Sequence, residues 1–322
     1  MRLEVEHTFA FEYDGYISES FLELRVQPKT TPAQTVLSFT LAVGPRTRVY
    51  RYVDWNDNVT HHFTITKFHD RIEVTATSLV ETRPSPVALA EVGPAARDGE
   101  VPYPLLDFLD FGGPVRLTSE LRAAHGGLAL PRGASLGEQV VAMGRALRER
   151  FEYQKDVTRY DSTTEDFLKL GKGVCQDFAH LMLGWLRLSG IPCRYVSGYL
   201  HVDRKKREPS QSHAWVEFHA PSVGWVAFDP THGRAVDERY VVVGHGRHYD
   251  DVPPNKGIYR GTARETLTAE IHTRPVAGTA IPRVTEDVRA IDLRTFAAAP
   301  ARRSVPPVPS AAEEQAEQQQ QQ

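Results

Sequence analysis

Cys175, His213 and Asp229 stand in the order nucleophile, base and orienter, and each has a local sequence suited to that part. A thiolate nucleophile needs a base in reach to take its proton, and the base needs a third group to fix its tautomer. Cys175 follows Gly171-Lys172-Gly173-Val174, a tight approach to the first turn of the most apolar helical stretch in the chain, 174–189. A thiol at a helix N-terminus feels the positive end of the macrodipole, which favours thiolate. The free N–H groups there can also hold an oxyanion as it develops. Cys193 differs: it follows Pro192 at the start of a strand and reads as core packing.

His213 and Asp229 lie on two short strands joined by a turn. The run 212–219 alternates His213, Trp215 and Glu217 against Ala214, Val216 and Phe218. The run 225–229 alternates Trp225, Ala227 and Asp229 against Val226 and Phe228. A hairpin centred on Pro221 sets His213 directly opposite Asp229 on one face, where side chains sit close enough to pair. A register displaced by two leaves them diagonal neighbours, whereas a slip of one moves them to opposite faces.

These residues need a frame. Leu3, Val5, His7, Phe9 and Phe11 recur every second residue, the strand period, and short runs follow at 21–26, 35–43, 48–55, 59–68 and 71–79. Six strands without helical period predict an N-terminal antiparallel β-sandwich over 1–82. His61 and His62 are consecutive in one strand, face opposite sides and make a poor chelating pair; a strand-surface role is expected for them. Residues 83–132 are rich in proline and read as a linker with short helices. Ser135 with Glu138 three residues on matches a capping box for a helix reaching Arg150, and Thr164 or Asp161 opens another that ends near Leu170. The stretch 174–189 has no polar face and predicts a buried helix, stopped by Gly190 and Pro192. Strands are expected at 193–202, 212–219, 225–229 and 239–243, with a last one near 265–273 closing the catalytic sheet.

Three stretches carry a family resemblance. The runs GVCQDFAHLMLGWLRLSGIPCRYVSGYL and SHAWVEFHAPSVGWVAFDPTHG closely resemble the bacterial transglutaminase-like family, and the later GHGRHYDDVPPNKGIYRG is similar to the stretch following its core. The β-rich start resembles the N-terminal region found before this core in bacterial members. The resemblance spans nearly the whole chain except the tail. It implies an α+β fold: the β-sandwich, then a papain-like transglutaminase core with a buried catalytic helix on an antiparallel sheet. It also implies a thiol triad at Cys175, His213 and Asp229. His248 departs from the pattern, standing where an acidic residue is expected on the site rim.

Organisation and partners follow. The expected division is a sandwich over 1–82, a linker over 83–132, the catalytic core over 133–275, an extension over 276–298 and a disordered tail, rich in glutamine, over 299–322. A net charge of -3 and a pI near 6.5 give no reason to expect nucleic acid or an anionic membrane as partner. The basic cluster at 204–207 reads as solvated loop. The acidic opening MRLEVEHTFAFEY lacks the pattern of a signal peptide, and no apolar run has the length of a membrane span, so a cytoplasmic location is expected. Thirteen histidines invite a metal, yet HExxH and CxxC spacings are missing, as are a clustered acidic calcium loop and nucleotide-binding glycine motifs. No cofactor or metal is expected. Asp177 and His180, further along the catalytic helix, are expected to bond locally or support the hairpin, and Trp215 and Trp225 to form core or cleft wall.

The chemistry expected is thiol-dependent acyl transfer on amides of a protein or peptide: glutamine side chain, peptide or isopeptide bond. The Cys175 thioester passes to an amine in a transglutaminase or to water in a cysteine protease or amidase, and the same three residues serve both. A non-catalytic binding module is the competing class; loss of a triad member would mark it, and none is lost.

Overall fold

In the computed structural model, residues 1–85, 87–94, 101–131, 133–202, 212–277 and 285–300 are described. The basic cluster at 204–207 and the expected disordered tail from 301 onward lie outside these residues.

The chain opens with six strands: β1 (Arg2–Ile17), β2 (Glu19–Leu24), β3 (Gln34–Gly44), β4 (Val49–Val53), β5 (Val59–Ile65) and β6 (His69–Thr82). Short 3-10 turns at Leu89–Glu91 and Tyr103–Leu109 lead to helices α1 (Ser119–Gly126) and α2 (Leu136–Arg150). The bridging strand β7 (Glu152–Tyr153), helix α3 (Thr164–Leu170) and strand β8 (Lys172–Gly173) precede helix α4 (Cys175–Leu188). Strands β9 (Cys193–Leu200), β10 (Ser212–Ala220), β11 (Gly224–Asp229), β12 (Arg234–Ala235) and β13 (Tyr240–Gly246) form the catalytic sheet, in the order β12-β11-β10-β9-β13. Three more follow: β14 (Asn255–Arg260), β15 (Glu265–Pro275) and β16 (Thr285–Ala290).

The six N-terminal strands expected from the alternation are all present, but they do not make the sandwich alone. One sheet runs β15-β1-β6-β3-β16 and the other β14-β2-β5-β4. The strand expected near 265–273 therefore does not close the catalytic sheet: β15 pairs along β1, from Leu3 with Pro275 to Tyr13 with Glu265. The segment expected as a bare extension supplies β16, which runs parallel to β3, so the sandwich is not wholly antiparallel. Alternation in the sequence identifies a strand but carries no information about which edge takes it.

Packing follows the pleat. The inward face of β1 places Phe9, Phe11 and Tyr13 in the sandwich core with Leu22, Phe39, Phe63 and Ile72. The same face, one turn of the pleat earlier, sets Leu3 and Val5 against Tyr199, Val241 and Val243 of the catalytic sheet, with Ile271 of β15. One strand thus serves two cores. Hydrogen bonds stitch the seam: Gln34 Nε2 donates to the Val242 carbonyl at 2.8 Å and its Oε1 accepts from the Val242 amide at 2.8 Å. Asn58 repeats the pattern on His245, at 2.9 Å in each direction. His61 is buried against Phe39, not on the strand surface, because the face it points to is the one closed by the opposing sheet.

Helix α4 is the centre of the other core. Phe178, Leu181, Met182, Leu183, Trp185 and Leu186 are all buried, packed on Cys193, Tyr195, Val216 and Phe228 of the sheet. Each large apolar side chain removed from water there contributes about 1.5–3 kcal/mol, which fixes the position of the helix start. Helix α2 begins at the expected capping box, Ser135 with Glu138. Helix α3 is capped by Thr163, whose side chain bonds reciprocally with Asp166.

Candidate active site

The approach to Cys175 is held by the residues before it. Gly171 ends α3 with φ of 73°, a left-handed conformation suited to glycine. Lys172 and Gly173 then pair with Glu152 and Tyr153 as a two-residue parallel ladder. A Cβ on Gly173 would lie 2.5 Å from Asp177 Oδ2, so glycine is required by the carboxylate beside it. Asp177 Oδ2 accepts from the Val174 amide at 2.8 Å and from Thr158 Oγ1 at 2.7 Å. Asp177 thus bonds locally, as expected, and fixes the helix start. Cys175 is half-buried at the head of α4, where its amide has no intrahelical acceptor. Cys193 is fully buried in the core, its thiol pushed up to about 11 by burial.

His213 and Asp229 do meet, though in the displaced register. The hairpin is centred on Ser222, since Ala220 pairs with Gly224 and Val216 with Phe228. Asp229 therefore falls across from Trp215, diagonal to His213 on the same face. His213 Nε2 still donates to Asp229 Oδ2 at 2.8 Å. Cys175 lines the same cleft as the imidazole and lies near enough to raise its pKa. Trp215, fully buried, stacks beneath the ring with centroids 6.0 Å apart.

The carboxylate is the most heavily bonded group in the site. Asp229 Oδ2 accepts also from Tyr240 Oη at 2.7 Å and His232 Nδ1 at 2.6 Å, while Oδ1 accepts from the amides of Thr231 at 2.9 Å and His232 at 3.2 Å. Burial alone would raise the Asp229 pKa. The hydrogen bonds of His213 and His232, the charge of His213 and the hydrogen bond of Tyr240 outweigh it, holding the carboxyl well below the usual range. Burial likewise opposes charging of His213, but the bond to Asp229, the nearby Cys175 and the charges of both prevail, lifting the imidazole to about 10.

His232 and Tyr240 escape a reading based on periodicity. The turn Asp229-Pro230-Thr231-His232-Gly233 brings His232 back onto its own carboxylate, closed by the Gly233 amide on the Asp229 carbonyl at 2.8 Å. Short polar turns of this kind signal such local bonding, and that was the available clue. His213, Asp229 and His232 each offer one ligand atom within 4.8 Å of the others, a spacing that could admit a metal ion. Both imidazoles already bond Asp229 Oδ2.

The cleft over Cys175 encloses 360 Å³ and is shared between the two cores. Cys175, His213, Tyr195 and Ser197 line it from the catalytic side, while His7 of β1 and Leu267 and Ile271 of β15 form the facing wall. His7 is buried and hydrogen-bonds Tyr199 through Nδ1 at 3.0 Å; burial lowers its pKa to about 3, so it is neutral. The wall was not legible, because strands more than 250 residues apart build it. A larger groove of 610 Å³ continues from the cleft past Tyr249, Asn255 and Leu267. His180, buried on α4, accepts from the Tyr249 amide at 3.2 Å and so holds this rim. His248 is buried beside Gly113, 3.7 Å from Asp250, with burial lowering its pKa. Trp225 is half-buried beneath the Arg194 guanidinium, 4.1 Å from its ring centre, and does not line the cleft.

Residues 128–230, which include Cys175, His213 and Asp229, match the core of the transglutaminase-like superfamily, and residues 3–81 match the bacterial transglutaminase-like N-terminal region. An uncharacterized protein of Mycobacterium leprae is 34% identical over 281 residues, covering 86% of this chain and 99% of its own length. This chain belongs to the bacterial transglutaminase-like family. A protein-glutamine gamma-glutamyltransferase of Pseudomonas aeruginosa shares 28% identity over 163 residues, 45% of this transglutaminase-like chain and 23% of the relative. In fold, a crystal structure of a candidate cysteine protease from Cytophaga hutchinsonii superposes with a TM-score of 0.69 at 20% identity, covering 88% of this chain and 93% of that one. This transglutaminase-like protein thus shares the two-part architecture, sandwich and core together, with a solved structure. Among the described residues no helix is long and apolar enough to cross a membrane.

Proposed function

We propose that this protein catalyses thiol-dependent acyl transfer on amide carbonyls of a protein or peptide, with Cys175 as nucleophile, His213 as base and acid, and Asp229 as orienter. One observation carries the reading: a single buried imidazole shares a cleft with Cys175 and bonds, at 2.8 Å through Nε2, a fully buried carboxylate. That arrangement suits proton removal from sulfur with the ring held in one orientation.

The reaction proceeds in two steps. The Cys175 thiolate attacks the amide carbonyl carbon, and the π pair moves to oxygen. Collapse re-forms the carbonyl and expels the amine, which takes its proton from His213. The thioester is then attacked by an acceptor whose proton goes to His213, and collapse breaks the C–S bond and releases the Cys175 thiolate. An amine acceptor gives transglutamination; water gives hydrolysis. The partial relative named for glutamine gamma-glutamyl transfer favours a glutamine side chain as donor.

A glutamine-containing peptide, supplied with and without a primary amine, tests this. An amine adduct with release of ammonia is expected from transglutaminase action. Ammonia and free acid in both samples would assign a hydrolase. Substrate turnover that survives Cys175→Ala would count against the thioester altogether.

A further inference from the structure

Tyr195 has no part in the triad, yet its surroundings are unusual for a structural tyrosine. It lies on β9, only 3% exposed, with its ring 5.2 Å from that of His180 on α4. Its ring edge also meets Tyr249 at 6.3 Å. These contacts fix the phenol alongside the helix that begins at Cys175. Among the described residues its hydroxyl makes no hydrogen bond, and it is not one of the fully buried polar atoms without a partner, so it opens onto the cleft. The hydroxyls of Tyr199 and Tyr240 are both bonded. Tyr195 lines the 360 Å³ cleft together with Cys175 and His213. Burial raises its pKa well above the ordinary value, and the charges of Cys175, Tyr249 and Asp177 add to this, so the phenol stays protonated and can only be a donor to an anion.

We propose that Tyr195 is the side-chain half of an oxyanion site, donating its O–H to the oxygen of the tetrahedral intermediate at Cys175, with the Cys175 backbone N–H at the head of α4 as the other donor. The proposal rests on the acyl-transfer reading and adds a catalytic residue to it. When the thiolate pair forms the S–C bond, the carbonyl π pair becomes an alkoxide. That charge appears beside a neutral donor already held in the cleft wall. Collapse returns the pair to the carbonyl and expels the leaving group with its bonding electrons. In the resting protein the same hydroxyl is not spent on the sulfur.

Tyr195→Phe keeps the ring and removes only the donor. Two reagents separate the roles. p-Nitrophenyl acetate acetylates Cys175 through a tetrahedral alkoxide and releases p-nitrophenolate; iodoacetamide alkylates the same thiolate by displacing iodide, with no alkoxide. The expected result is that Tyr195→Phe slows acetylation about 100-fold and leaves alkylation within about twofold of wild type. The alkylation rate of the same sample also reports that the site is intact. Acetylation within about threefold of wild type would overturn the proposal. So would an equal fall in both reactions, which would place Tyr195 as a support of the thiolate. If wild-type Cys175 were acetylated no faster than free cysteine, the acyl-transfer reading itself would fall, and this proposal with it. Fast wild-type acetylation unaffected by Tyr195→Phe would remove this proposal alone.

Discussion

His213 and Asp229 are diagonal neighbours across the β10–β11 hairpin, not directly opposed, and their side chains nevertheless meet at 2.8 Å. The two-residue displacement preserves the shared face and lets the carboxylate receive Tyr240 and His232 as well. Asp229→Asn keeps the shape but removes the charge that holds the imidazole. Acylation should fall by about 10⁴-fold, and the melting temperature should fall as well, since the buried carboxylate also contributes to stability. Single-turnover acetylation and a thermal melt measure the two quantities, and retention of wild-type rate would remove Asp229 from the mechanism.

The raised basicity of His213 sets a pH dependence. The imidazolium must survive to give its proton to the leaving amine, so the alkaline limb of turnover should lie near 10 and not near the ordinary 6.5. The stability sign follows the same shift. His213 contributes most below 6.5, and the contribution is lost as pH rises toward 10. Asp229, held low, contributes above the ordinary carboxylate range and loses this only in strong acid. Turnover from pH 5 to 11 and melting curves extended into strong acid check both, and a limb at the ordinary histidine value contradicts the pairing.

Gly173 approaches Asp177 too closely for any side chain. Gly173→Ala should push the carboxylate off the Val174 amide and tilt the start of α4. A loss of about 1–3 kcal/mol is expected in urea unfolding, with slower labelling of Cys175. Unchanged labelling would mean that Asp177 does not set the thiol position.

Ile271 is 3% exposed at the seam between β1, β15 and the catalytic sheet. Ile271→Ala should cost about 2–5 kcal/mol. Because Leu3 and Val5 share that cluster with Val241 and Val243, sandwich and core should unfold in one transition. Two separate transitions in the wild type would show that the seam does not couple them.

Much of this was legible in the sequence where the signal is local. Alternation marked β1 to β6, the glycine approach marked the start of α4, and facing alternation put His213 and Asp229 on one face. Residues distant in sequence were a different matter. The Leu267, Ala269 and Ile271 alternation signals a strand, but pairing with β1 is decided by which edge is open after the chain has folded back. Tyr195 lies within the strand expected at 193–202, but a strand pattern does not reveal which hydroxyl faces a cleft. The hairpin centre shifted by one residue because Gly224, with φ of 80°, takes the left-handed position of the turn in place of a bend centred on Pro221.

The central claim is that Cys175, activated by His213, is the nucleophile. Intact-protein mass spectrometry with a thiol-directed electrophile at neutral pH, on wild type and His213→Ala, tests it most directly. Cys175 should label first, with buried Cys193 far slower, and His213→Ala should slow Cys175 strongly. Labelling of Cys175 no faster than Cys193, or a rate unchanged by His213→Ala, would contradict it.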